Sequence, residues 1–203
     1  GTAILATEKA LNGRSLAGLR HVQEGLKGVP VVSELHAMSP EVGAGEMAIA
    51  YLAPIQERGL VGVLVVWVRA SALWALVAEG NEKAGAKSFS VLFDHFGVRI
   101  AHSYNQDIIF HPAGALDPAT LNAMVAERRF GERTRQLLEA PRAFPEQFDR
   151  ARAPAPGREI FRGFAPVNQQ WNVGVARRLA SLPWTLFYMI PEQSLNALTE
   201  DLV

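Results

Sequence analysis

The sequence predicts an α+β fold made of two similar units in tandem, and three observations predict it. The order of strand, helix, three-stranded antiparallel meander and closing helix occurs twice along the 203 residues. The end of the first series, VLVVWVRASALWAL at 63–76, resembles the end of the second, TLFYMIPEQSLNAL at 185–198, because each takes a strand pattern directly into a short helix. A composition of 49% hydrophobic and 20% charged residues is ordinary for a globular protein that buries a core.

The first unit is predicted over residues 1–80. Residues 1–7 have a strand pattern, and Ser15 is a suitable N-cap for a helix that ends at the C-cap glycine Gly28. Three successive antiparallel strands are predicted at 31–37, 46–56 and 60–69. The last is apolar on both faces, which predicts a central strand covered on both sides. A short helix capped by Ser71 closes the unit near Gly80.

The second unit is predicted over residues 88–203, after a linker at 81–87 (NEKAGAK). It opens with a hairpin at 89–102 (FSVLFDHFGVRIAH), in which Asp94 can hydrogen-bond its own backbone and Gly97 can adopt a positive φ. A helix follows, with Asp117 as N-cap, Pro118 at its first position and Gly131 ending or breaking it.

The remaining chain of this unit begins with a proline-rich stretch, 141–157, that is predicted to be a long loop. Three strands are predicted at 159–167, 171–180 and 184–190, and a closing helix at 191–202. That helix carries an apolar stripe of Leu195, Leu198 and Leu202, which suits packing against a partner helix across a dimer.

Charge and composition exclude several classes of function. The 20 basic and 20 acidic residues balance, so no overall field would recruit nucleic acid or anionic lipid. The chain has no cysteine and therefore no disulfide or thiolate site. The longest apolar run, Leu60 to Val68, is shorter than the ~20 residues of a membrane-spanning helix, and no signal peptide is predicted. A strand pattern at the very start of the chain indicates a piece of a longer protein.

Four segments, in their order along the chain, carry a family resemblance. Gly13–Leu16 (GRSL) leads to Arg20–Gly28 (RHVQEGLKG), Leu60–Val63 (LVGV) opens the last strand of the first unit, and Leu182–Leu186 (LPWTL) opens the last strand of the second. This order resembles double Cache domains, the paired PAS-like extracytoplasmic sensor modules of bacterial histidine kinases, chemoreceptors and cyclic-nucleotide enzymes. The resemblance covers nearly the whole chain.

The resemblance implies a membrane-distal ligand-binding unit, without its opening helix and strand, and a membrane-proximal unit whose last helix leads to a membrane span. It also implies a periplasmic location, a homodimer in the full-length protein and no catalysis in this domain. An amino-acid-binding subclass of this family carries an Arg followed closely by Trp-Tyr, then a downstream Tyr. It also carries an Asp near the end of the last strand of the distal unit. Here His21, Val22 and Gln23 follow Arg20, and Trp67 stands in place of the Asp. The expected ligand is therefore a small molecule other than an amino acid, neutral or carboxylate-bearing.

Two groups of candidate binding residues follow. The distal group has Arg20 and His21 on the first helix, Ser33 and His36 on the next strand, and Tyr51 and Trp67 on the two strands after it. A small cavity with a few convergent polar groups is the functional interpretation, and ordinary surface or core residues are the alternative. His102, Tyr104 and Trp171 are candidates for a second pocket, although aromatic residues in strands are more often core.

Metal, cofactor and nucleophile signals are weak. His95, His102 and His111 with Asp94 and Asp107 suggest zinc ligands, but the strand separates His95 from His102 too far for one shared ion, so no metal or cofactor is predicted. Arg128 and Arg129 are interpreted as a solvated pair.

The expected function is an extracytoplasmic ligand-binding sensor domain, foremost of a histidine kinase. A protein-interaction module without a small ligand and, less favoured, a soluble α+β enzyme remain as alternatives.

Overall fold

The structure is a computed structural model that describes residues 1–43, 45–152 and 159–200. Contacts divide the chain into two units: Gly1–Ala72 with Arg128–Glu132, and Leu73–Glu127 with the chain from Arg133 onward. Residues 81–87, expected to be a linker, belong by contact to the second unit, where Ser194 Oγ donates to the Ala86 carbonyl oxygen at 2.8 Å. The functional division into 1–80 and 88–203 stays a prediction.

The first unit contains a four-stranded antiparallel sheet around the long strand β3 (Met47–Gln56). Strands β1 (Val31–Val32) and β2 (His36–Ala37) pair with one edge of β3, and β4 (Leu60–Arg69) pairs with the other. Its helices are α1 (Arg20–Gly25) and α2 (Pro40–Gly43), with a 3-10 turn at Lys9–Leu11. Helix α3 (Ala70–Ala78) begins in this unit and lies mostly in the second. The prediction for 31–37 was therefore one strand where the structure has two short ones.

One face of this sheet is covered, whereas the other is exposed along β4, although Ile49 of β3 is buried there. Val22 of α1 packs with Ala50 and Leu52 of β3, and Val63, Val65 and Trp67 of β4 join this small core. The side chains that alternate with them on β4 point away from the core, so Leu64 is 56% exposed and Val66 48% exposed.

The prediction of β4 as a central strand covered on both sides is wrong. Among the described residues β4 pairs with β3 alone, so it lies at an edge of the sheet. The run of β-branched residues indicates a preference for strand structure, but burial of both faces also requires neighbouring elements, which the run does not specify. Residues 1–7 are likewise not a strand, since Thr2 makes a single isolated bridge to Ser15. The N-cap of α1 is Leu19 and not the predicted Ser15.

The second unit contains a five-stranded antiparallel sheet in the order β6, β5, β9, β8, β7. The strands are β5 (Phe89–Phe93), β6 (Arg99–His102), β7 (Glu159–Ala165), β8 (Gln170–Arg178) and β9 (Thr185–Pro191). The predicted hairpin is confirmed: Asp94 Oδ1 accepts from the backbone N–H groups of Phe96 and Val98 at 2.9 Å, and Gly97 has φ +84°. The prediction of a mixed helix and antiparallel sheet fold is confirmed as well.

The helices of this unit are α4 (Pro118–Ala126), α5 (Thr134–Leu138), α6 (Pro145–Arg152) and α7 (Glu192–Glu200). The predicted cap of α4 is present, since Asp117 Oδ1 accepts from the N–H groups of Ala119 and Thr120. Helix α6 corrects the prediction of an irregular loop over 141–157; its Phe148 is only 4% exposed and belongs to the core. Residues 153–158, Leu202 of the predicted stripe and the side chain of Leu198 lie outside what the structure describes.

Phenylalanine rings fill the covered face of the second sheet. Phe93, Phe144, Phe148, Phe161 and Phe187 lie with neighbouring ring centroids 5.2 to 6.0 Å apart. Such offset and edge-to-face contacts are the preferred arrangement of aromatic pairs. No helix in the described part of the chain is both long and apolar enough to cross a bilayer.

Candidate functional site

Four of the six residues predicted for the first pocket lie together on the covered face of the first sheet: His21, Ser33, His36 and Trp67. Trp67 lies opposite Ala50 of β3 and His36 opposite Ala48, and residues opposite each other in an antiparallel pair share a face. Ser33 joins them because its Oγ accepts from the Ala50 N–H at 2.8 Å. We call these four residues the imidazole cluster.

The two imidazole rings of the cluster are in direct contact. Helix α1 holds the ring of His21 with its centroid 4.7 Å from that of His36 and 6.4 Å from that of Trp67, whose ring it meets edge to face. Half-buried rings on two strands, His36 of β2 and Trp67 of β4, therefore face His21 of α1.

Hydrogen bonding fixes the proton on His36. Its Nδ1 lies 2.9 Å from the Glu34 carbonyl oxygen, which can only accept, so Nδ1 carries the hydrogen. Ser33 Oγ donates to the same carbonyl oxygen at 2.9 Å and lies 3.3 Å from Nδ1. A neutral His36 thus has its lone pair on Nε2.

Ser33 and His36 resemble a nucleophile and its base only in distance. The Ser33 hydroxyl hydrogen points to the Glu34 carbonyl, and His36 Nδ1 already holds a proton directed at that oxygen. His36 therefore cannot take the serine proton at Nδ1, as a catalytic dyad requires. The arrangement is suited to binding rather than to activating the hydroxyl.

Burial keeps both histidines uncharged near neutral pH. Burial, with a smaller contribution from His36, lowers the pKa of His21 to about 4. Burial also lowers the pKa of His36, and the bond to Glu34 opposes that effect. The Nε2 atom of His21 is buried and has no hydrogen-bond partner among the described residues. A buried polar nitrogen in this state favours any ligand group that can hydrogen-bond to it.

Arg129 borders the cluster, and the sequence interpretation missed it. Its side chain is 4% exposed, its Nε donates to the Leu35 carbonyl oxygen at 3.0 Å, and its Nη2 lies 3.4 Å from Glu34 Oε2. The interpretation of Arg129 as a solvated residue is wrong, whereas its neighbour Arg128 is exposed as expected. A separation of 94 residues from Leu35 leaves no local pattern that could reveal this contact.

The other two predicted residues, Arg20 and Tyr51, are both exposed. Arg20 is exposed at the start of α1. Tyr51 is 41% exposed on the opposite face of β3, where it lines a cavity of about 330 Å³ with Val32, Leu64 and Val66. The prediction that all six residues converge on one pocket is thus corrected for Tyr51, whereas that for Arg20 stays a prediction.

The second predicted pocket is not formed by its three residues together. His102 is buried, stacks on Phe89 with centroids 5.1 Å apart, and accepts the N–H groups of Tyr104 and Asn105 at its Nδ1. Trp171 lies on the opposite face of the second sheet, with the Arg162 guanidinium 4.1 Å from its ring centroid. His102 therefore has a structural position, and Trp171 is a half-exposed residue of the other face.

Another cavity of about 460 Å³ lies in the second unit beside the β5–β6 turn. Its lining includes His95, Gly97, Asp117, Phe148 and Asp149. Within the described residues no three His, Cys, Asp or Glu side chains are placed to hold a metal ion together.

Comparison with known proteins shows the fold. No protein-family model and no curated protein sequence matches the chain. Among solved structures, the sensor domain of the Vibrio cholerae histidine kinase DctB has a TM-score of 0.58 and 20% identity over 90% of this chain and 63% of that one. The periplasmic sensory domain of the Campylobacter jejuni chemoreceptor Tlp1 has a TM-score of 0.53 and 14% identity over 89% and 57%. The fold is that of a Cache-type sensor domain.

A third Cache-type structure contains a ligand. The ligand-binding domain of the Campylobacter jejuni chemoreceptor Tlp3, in complex with 4-methylisoleucine, has a TM-score of 0.53 and 18% identity over 91% of this chain and 57% of that one. The chain spans about 60% of the length of the solved Cache-type chains it matches.

Proposed function

We propose that the protein is an extracytoplasmic ligand-binding sensor domain of a membrane-anchored signalling protein, foremost a sensor histidine kinase. The Cache-type fold, shared with the sensor domains of a histidine kinase and of chemoreceptors, is the observation that carries this proposal. The domain would have no catalytic activity of its own.

The imidazole cluster is the proposed ligand site. It brings imidazole nitrogens, a half-buried hydroxyl and an indole edge together between α1 and one covered sheet face, which is the mixture of polar and apolar groups typical of small-molecule sites. An amino-acid ligand is disfavoured, because Trp67 stands where a carboxylate would be needed for an ammonium group, and Glu34 nearby is paired with Arg129. The ligand is therefore proposed to be neutral or carboxylate-bearing.

Signalling would follow from a shift between two states. A ligand moves such an equilibrium only by its difference in affinity for the two states. Transmission through the closing helix α7 to a membrane span, and dimerisation of the full-length protein, are part of the proposal and are supported by the resemblance alone.

A thermal-shift screen against organic acids, amines, amino acids, nucleobases and sugars tests the proposal. A ligand at a hundredfold excess over its Kd stabilises the folded state by about 2.7 kcal/mol, a readily measured shift. The shift should be lost in His36→Gln and retained in Tyr51→Leu, a control on the opposite face of β3. A hit that His36→Gln leaves unchanged would place the site elsewhere.

A protein-interaction module is the second candidate. The observation that favours it is the exposed apolar face of the first sheet, which includes Tyr51, Leu64 and Val66. A screen in which no compound class raises the unfolding temperature would favour this function over small-molecule sensing.

A further inference from the structure

We propose that the imidazole cluster takes a carboxylate anion and that binding is coupled to the uptake of one proton by the His21–His36 pair. The inference rests on the proposed function and goes beyond it by naming the charge of the ligand and the pH dependence of its binding. The buried His21 Nε2 and its contact with His36 carry the inference.

The first step concerns hydrogen bonding at His21. Its Nε2 is enclosed by the protein, and the described residues offer it no hydrogen-bond partner. A carboxylate oxygen would accept a hydrogen bond from Nε2–H, and a bond to an ionised acceptor is stronger than one between neutral groups. Trp67, edge-on to the His21 ring, supplies an apolar wall for the rest of a small organic anion.

The second step concerns the charges around the pair. The carboxylates of the neighbouring elements already have cationic partners: Glu34 has Arg129 at 3.4 Å, Glu24 of α1 has Lys27 at 2.8 Å, and Glu46 beside β3 has Arg69 at 2.8 Å. Arg20 adds positive charge on α1, next to His21. A bound carboxylate would thus be the dominant negative charge acting on the two imidazoles.

The third step is the effect of that charge on protonation. An opposite charge within ~4–6 Å favours the charged form of a titratable group and so raises the pKa of a histidine. The burial that lowers the pKa of His21 to about 4 in the free protein would be opposed by the bound anion. The complex therefore holds its proton at a higher pH than the free protein does.

The sign of the pH dependence follows. As pH falls through the pKa of the complex, the complex takes up a proton that the free protein does not yet bind, and affinity rises by about tenfold per pH unit. The rise ends near the pKa of the free cluster, about 4 for His21. A ligand that only fills space, or that stays neutral, would show no such slope.

The experiment is an NMR titration of the histidine ring nitrogens of the whole domain with glycolate and pyruvate, which are ionised throughout the range from about pH 5 to about pH 8. The corresponding amides serve as neutral probes of the same shape. We expect affinity for the carboxylates to rise by about tenfold or more from pH 7.5 to pH 5.5, with an upward shift in the pKa of His21 or His36. The amides should bind weakly and without pH dependence.

Two variants and a control make the test specific. His21→Gln and His36→Gln each keep a side-chain N–H donor but cannot gain a charge, so the slope should flatten while ring-current shifts of the remaining core report an intact fold. His95→Gln, at the hairpin turn of the second unit, should leave the slope unchanged.

The inference is overturned if carboxylates and amides bind equally, if affinity is independent of pH, or if neither carboxylate binds at high millimolar concentration. Neutral compounds that bind in the thermal-shift screen would then leave the sensor function standing and remove only the anion and the proton. Absence of binding in both experiments would remove the sensor function as well.

Discussion

Single buried histidines contribute to the pH dependence of the stability of this protein. His102 is 6% exposed, and its Nδ1 must stay unprotonated to accept the N–H groups of Tyr104 and Asn105. Burial, together with the nearby Arg99, lowers its pKa to about 3 from the ordinary 6.5. The unfolded chain therefore takes up a proton near pH 6.5 that the folded protein binds only near pH 3, so stability falls as pH falls through this window.

His102→Asn should make this loss of stability shallower. The asparagine Oδ1 can accept the same two N–H groups but does not titrate. Between pH 6.5 and pH 4 the wild type should lose about 1.4 kcal/mol more per pH unit than the variant, which denaturant unfolding at several pH values would measure. Parallel losses in the two proteins would mean that His102 is not protonated on unfolding. His21 contributes a similar slope down to about pH 4 in both.

Individual helices and strands show which structural features could be predicted from local sequence patterns. The hairpin β5–β6 was predictable from its turn residues, and the cap of α4 from its Asp-Pro pair. The last three strands were predictable from alternating apolar residues. Each of these patterns acts over a few residues. Helix α6 was not, because PEQFDRAR has one large apolar residue, Phe148, and a single residue sets no period. The edge position of β4 depends on neighbouring elements and has no local pattern.

Strands β7 and β8 provide a matched test of core packing. A Cβ on Gly174 of β8 would overlap the ring of Phe161, which is held by the rings of Phe144 and Phe187. Gly174→Ala should therefore cost about 1–3 kcal/mol of the free energy of unfolding. A Cβ on Gly163 of β7 would meet the same ring at 3.5 Å, an ordinary contact, so Gly163→Ala should be nearly neutral. Equal effects in chemical denaturation would show that Phe161 moves aside freely.

At the scale of the whole chain, one short segment belongs by contact to a different unit from the chain on either side of it. The Cache-type fold could be predicted from the order of the elements, whereas the division into 1–80 and 88–203 stays a prediction. Residues Arg128–Glu132 nevertheless cluster with the first unit, although the chain on either side of them belongs to the second. The imidazole cluster was predictable only in part: its four residues were among the six candidates, but one strand over 31–37 would place Ser33 and His36 on opposite faces. Arg129 needed the tertiary structure.

Arg129→Met tests the importance of that segment for the first unit. The change leaves Glu34 and the Leu35 carbonyl without their buried partner, and we expect a loss of about 2–4 kcal/mol. Arg128→Met is the control, since its pair with Glu132 is exposed and such pairs contribute less than about 1 kcal/mol. Hydrogen exchange should show the loss at the Ala37 N–H, which donates to the Arg129 carbonyl oxygen at 2.7 Å. Equal losses in both variants would contradict this role.

The edge-to-face contact of Trp67 with His21, 6.4 Å between ring centroids, has an optical consequence. An imidazolium ion quenches the fluorescence of a neighbouring indole by accepting an electron from its excited state, and a neutral imidazole does so far less. Trp67 emission would therefore dim whenever His21 becomes charged. Because the chain has four tryptophans, a variant that keeps Trp67 alone would report the proton occupancy of His21 without a label.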